Sequence, residues 1–154
     1  MRLKCVCTIL LLWCASVCFA QGKLFDKYAE MDGVTSVYIS KKMFQMMPAM
    51  EEVGLNLANM KGKIESLQIL TTENGDLRRK MSEDFRALIG KEHEELMRVK
   101  DDDTRANFYV LQEGELIKEL IMLADTDSDE FTVIQLRGNF TLNDIQEITK
   151  EAMN

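Results

Sequence analysis

The sequence predicts an α+β fold: a single, largely antiparallel sheet with a C-terminal four-strand meander and helices packed on one face. Three observations predict it. From Glu94 to Arg137 apolar and polar residues alternate with period two, broken at Asp101–Thr104, Glu113-Gly114 and Asp125–Asp129 by turn-forming residues. The stretches Asp76–Ile89 and Leu142 onward instead space their apolar residues as one face of a helix does. No linker, low-complexity tract or internal repeat divides the chain, and Pro48 is its only proline. Residues 21–154 therefore read as one domain.

Residues 1–20 stand apart. Arg2 and Lys4 precede an apolar run from Cys5 to Trp13, and small residues lead to Ala20. This is the three-part pattern of a secretory signal peptide, with cleavage expected before Gln21. The run is shorter than the roughly 20 residues a spanning helix needs. A lipoprotein anchored through Cys18 is the alternative, although bulky Val17 stands where a small residue is wanted. All four cysteines lie in this segment, so the remaining 134 residues carry no thiol. They suffice for a domain with a single core.

The elements follow in order. Leu24, Phe25, Tyr28 and Met31 have helical spacing, and Gly33 stands where a glycine ends a helix. Val34–Ser40 is β-branched and aromatic, as a strand is. A methionine-rich stretch from Met43 to Met60, broken by Pro48 and Gly54, suggests short helical turns. Ile64–Thr71 is a second strand, and Asn74 caps a helix whose stripe is Leu77, Met81, Phe85 and Leu88. The meander strands are Glu94–Lys100, Arg105–Leu111, Leu116–Ala124 and Phe131–Arg137. Gly138-Asn139 then leads to Thr141, an N-cap with Asp144 three residues on, and Leu142, Ile145 and Ile148 form the last apolar stripe.

Several of these stretches carry a resemblance. Leu24–Tyr28, Gly33–Phe44, Leu67–Leu70, Phe108-Tyr109 and Gly138–Thr141 together resemble an exported domain-of-unknown-function family of Bacteroidetes-type bacteria, family number 4252. The resemblance implies a small envelope protein with no established activity and no known catalytic residues. It also implies genes placed near extracytoplasmic sigma factors, and so a part in envelope response.

Charge narrows the partners. Loss of residues 1–20 leaves 17 basic against 26 acidic side chains, a net charge of −9. Nucleic acid and anionic lipid both reward a basic patch and are disfavoured. Met43, Met46, Met47 and Met50 lie at i, i+3, i+4 and i+7, the spacing of one helical face. Thioethers select Cu(I), but Pro48 interrupts this stripe and no His or Cys adjoins it. Methionine as an adaptable apolar surface is the simpler account. Asp125–Glu130 begins like a calcium loop, yet Glu130 and Leu136 occupy the positions where that loop needs glycine and glutamate. No metal and no cofactor is expected.

His93, the only histidine, stands among Glu92, Glu94 and Glu95. A hydrolase using His93 and acidic residues is conceivable, but no nucleophile, second histidine or Gly-x-Ser-x-Gly elbow accompanies it. The reading preferred is a non-enzymatic exported envelope protein that binds a protein or an apolar ligand. The meander strands are apolar on both alternations, and single-striped helices cover one face only. A partner surface is expected on either the set Tyr109, Leu111, Ile117 and Ile121 or the alternate set led by Phe108, with Met43, Met46, Met47 and Met50 lining it.

Overall fold

The computed structural model describes residues 22–46, 62–90, 92–127 and 129–152. The expected leader, Met47, Met50 and the rest of the stretch to residue 61 lie outside the described residues. Residues 22–29 form helix α1, and β1 (Thr35–Ser40), α2 (Lys41–Met46), β2 (Ile64–Thr72) and α3 (Gly75–Leu88) follow. The meander is β3 (His93–Lys100), β4 (Thr104–Glu113), β5 (Leu116–Thr126) and β6 (Phe131–Phe140), and α4 (Leu142–Ala152) ends the order. The strands make one six-stranded sheet in the order β1-β2-β6-β5-β4-β3, antiparallel throughout. The sheet is thus the expected meander with a β1–β2 pair added at β6.

Local chemistry sets the joints. Gly33 closes α1 with a φ of 87°, a conformation that costs residues with a Cβ far more than glycine, and its carbonyl accepts from Thr72 Oγ1 at 2.7 Å. Asn74 caps α3 by accepting from the amides of Asp76 and Leu77, both at 3.1 Å. Gly138 differs from its expected place between the last strand and the final helix. It lies within β6 opposite Ile64, where any Cβ would collide with the Lys63 carbonyl and the Phe140 ring. The glycine marks a close approach of backbones inside the sheet.

Two cores form, one on each face. On the first face Leu70, Ile121, Leu123, Phe131 and Val133 pack against Phe25 and Tyr28 of α1 and Met81 and Phe85 of α3. On the second, Ile64, Leu67, Val110, Ile117, Leu120, Leu136 and Phe140 pack against Phe44 of α2 and Ile145 of α4. Helices α1 and α3 share one face, while α2 and α4 lie on the other. The cores sit at opposite ends of the sheet, because β6 turns Phe131 and Val133 to one side and Leu136 and Phe140 to the other. Each face therefore has one half that lies outside its apolar core. Leu142, expected in the apolar stripe of α4, is exposed. It is the first helical residue and points clear of the sheet, whereas Ile145 is buried.

Helix α4 is held by charge as well. Asp144 accepts from the Thr141 amide and hydroxyl, both at 2.8 Å, completing a capping box. Lys63 Nζ lies 2.7 Å from its carboxylate. The hydrogen bond from Lys63, then that from the Thr141 amide, holds the Asp144 carboxyl below its ordinary value. A carboxyl with a lower pKa folded than unfolded adds stability above the ordinary carboxylate range near 4, which is lost as pH falls through the folded value. The melting temperature is thus expected to drop on acidification below about pH 4, with a smaller drop in Asp144→Asn. Equal acid slopes for the two proteins would contradict this.

Candidate functional site

The register of the sheet places Val37, Ile69, Ile134, Met122, Phe108 and Met97 opposite one another in turn, from β1 through β2, β6, β5 and β4 to β3. Paired residues of antiparallel strands share a face. The six side chains therefore form one apolar row across the whole sheet, on the second face. Val37 is 42% exposed and the other five are half-buried. The neighbouring row toward the core, Ile39, Leu67, Leu136, Leu120 and Val110, lies beneath α2 and α4 and is buried apart from half-buried Ile39. On the other side stand Thr35, Thr71, Thr132, Ala124, Ala106 and Val99. These are small, and Thr71 and Thr132 satisfy each other at 3.1 Å. The result is a flat apolar ledge bordered by short side chains.

The residues expected to form a partner surface divide on this geometry. Ile121 lies in the first core and Ile117 in the second, both fully buried, so neither presents a surface. Tyr109 packs half-buried against the first core, and Leu111 sits beside a polar cluster described below. A β-bulge separates the two isoleucines. Leu111 pairs with Glu119 and Gln112 with Ile117, so β5 has one residue more than β4 here, and alternation along the strand reverses. The alternate set divides as well: Phe108 is half-buried, whereas Val110 and Leu120 lie in the second core. Met43 and Met46 of α2 are exposed, Met46 at 71%, while Met47 and Met50 lie outside the described residues.

Sequence reasoning missed a buried polar cluster on the first face, beyond the end of its apolar core. His93 Nε2 lies 3.1 Å from Glu119 Oε2, and the Gln135 amide donates to Glu119 Oε1. Arg137 Nε approaches the same oxygen at 4.0 Å. The His93 and Glu119 side chains are each 2% exposed. The signal available was slight: one acidic residue within an apolar strand. A cavity of about 260 Å³ adjoins the cluster, lined by Glu119, Arg137, Leu111, Lys118 and Asn139 among others. There Lys118 donates to Asn139 at 2.6 Å. A second hollow of about 460 Å³, near Gly33, Thr72 and Asn74, has its hydroxyl chemistry spent on backbone groups.

The calcium-like loop has a protein cation instead. Arg78 of α3 donates to Asp125 from Nε at 3.0 Å and reaches Asp129 and the Thr126 carbonyl. Among the described residues no three His, Cys, Asp or Glu side chains converge as a metal-binding group, and no helix is long and apolar enough to cross a membrane.

With the sheet and its two faces in place, the family comparison can be read. The model of a family described as domain of unknown function DUF4252 matches residues 28–148. The chain belongs to this family. The DUF4252 match takes in all six strands, α2 and α3, so the apolar row and the His93–Glu119 cluster both lie within the family unit. Comparison with curated proteins and with solved structures found no match.

Proposed function

We propose that this chain is a non-enzymatic binding module of the cell envelope, which docks an apolar protein surface on the ledge of its second sheet face. The continuous row from Val37 to Met97 carries the reading. Six apolar side chains in register across an entire sheet, none fully buried, form a larger patch than scattered surface residues account for. The net charge of −9 after loss of the leader-like residues 1–20 favours a neutral or basic partner. That leader pattern is what supports a location outside the cytoplasm.

One experiment addresses both parts. Tagged wild-type, Met122→Glu and Phe108→Glu proteins are pulled down from an envelope extract, and the bait's own N-terminus is read in the same mass spectra. The bait is expected to begin at Gln21. A centrally placed residue is worth about 2 kcal/mol or more in binding, so capture should fall roughly thirtyfold in at least one variant. Its melting temperature should stay within a few degrees of wild type. If both variants only unfold, the row is ordinary core and the reading fails.

A hydrolase using His93 and acidic residues is the competing reading, favoured by the His93–Glu119 pair beside its cavity. Two facts weigh against it. The imidazole nitrogen that would act as base already faces Glu119, and both side chains are sequestered from any substrate.

A further inference from the structure

The two edges of the sheet are built differently. Edge strand β3 carries Glu94, Glu95, Arg98 and Lys100, and a bulge between Glu95 and Met97 breaks its regularity. Charge and bulges are the devices that stop an edge from recruiting another strand. Edge strand β1, Thr-Ser-Val-Tyr-Ile-Ser, has neither. It bears no charge and no proline, its register with β2 is unbroken, and Thr35, Ser36, Val37 and Tyr38 are all exposed, Tyr38 at 63%. An exposed, regular, β-branched and aromatic edge is a template for pairing.

We propose that β1 pairs antiparallel with β1 of a second copy of this chain, joining two six-stranded sheets into one of twelve. Self-pairing suits this edge because an uncharged strand meets itself without the repulsion that an acidic chain meets elsewhere on its surface. Symmetry fixes the register. A two-fold axis normal to the sheet keeps corresponding faces on the same side. Paired residues must share a face, so the numbers of each pair sum to an even value. The pairing centred on the strand's exposed apolar residue of the second face sets Val37 against Val37 of the partner, Ser36 against Tyr38, and Thr35 against Ile39. Val37 is also the end of the apolar row, so this register carries the row unbroken from one copy into the next. The ledge is doubled without a second binding site being made.

The test is sedimentation of the purified protein over a wide concentration range. Wild type is expected to show a reversible monomer–dimer equilibrium. Val37→Glu and Val37→Lys each place like charges opposite one another at the axis and should weaken the dimer roughly five- to tenfold. An equimolar mixture of the two should restore association, because glutamate then faces lysine. Position 37 is exposed, so both variants should melt close to wild type. Three outcomes overturn the proposal: a wild type that stays monomeric throughout, single variants that associate as well as wild type, or a mixture that fails to recover. Loss of partner capture in the Met122→Glu protein with its self-association intact would leave this inference standing, and the reverse would leave the docking ledge standing.

Discussion

Glu119→Ala is expected to destabilise the domain by about 3–5 kcal/mol, since it strips a buried imidazole and a buried amide of their shared partner. Glu119 is 1% exposed and joins three groups from two other strands: His93 of β3, and Gln135 and Arg137 of β6. Truncation leaves the imidazole and the amide facing a void, and each unsatisfied buried polar group costs about 1–3 kcal/mol. Glu119→Gln preserves volume and should cost less. Chemical denaturation of the three proteins measures the series. A loss below about 1 kcal/mol for Glu119→Ala would show that the cluster is not structural. His93 would then merit the catalytic assignment set aside above.

Phe85→Ala is expected to cost about 3–5 kcal/mol as well, through a cavity rather than through polarity. Phe85 lies at the centre of the first core, fully buried, with its ring edge-on to Phe25 at 4.8 Å and tilted against Tyr28 at 5.7 Å. The lost contact joins α1 to α3. Tyr28 also donates to Asp84 at 2.6 Å, one residue before Phe85, so the helices are pinned at adjacent points. Burial, then this hydrogen bond, holds the Tyr28 hydroxyl above its ordinary pKa. A drop in melting temperature of roughly 10–20 °C follows for a domain of this size. The same truncation at Phe108, on the half-buried row, should be milder. If Phe108→Ala proved as damaging as Phe85→Ala, the distinction drawn between core and ledge would be wrong.

Much of the architecture was legible in the sequence because each element announces itself locally. The meander follows from period-two alternation and acidic turns, and observed strand ends differ from the expected ones by three residues at most. Asn74 and Thr141 both cap as their side chains predict. The faces were not legible, and Ile117 shows why. Alternation along β5 puts Ile117 and Ile121 on one side, but the extra residue near Lys118 reverses the count and sends them to different cores. A bulge is a property of a strand pair, invisible in either strand alone. Glu119 was missed for a related reason: its partners come from β3 and β6, and only the register brings them to it. Arg78 likewise reaches Asp125 across 47 positions of sequence, which no local pattern discloses.

The strand order also governs when the molecule can become whole. Strands β3 to β6 each pair with a neighbour next in sequence, so those ladders close over short loops and form early. The β2–β6 ladder is different, joining Ile64 to Gly138 and Thr72 to Phe131. It lies inside the sheet, and both cores draw residues from both of its strands. A chain synthesised or threaded through a pore from its N-terminus cannot build either core until the last strand has emerged. Until then the β1–β2 pair has no neighbouring strand on its β2 side. The local ladders of the meander can thus stand before either core exists, and both cores close together in one late step.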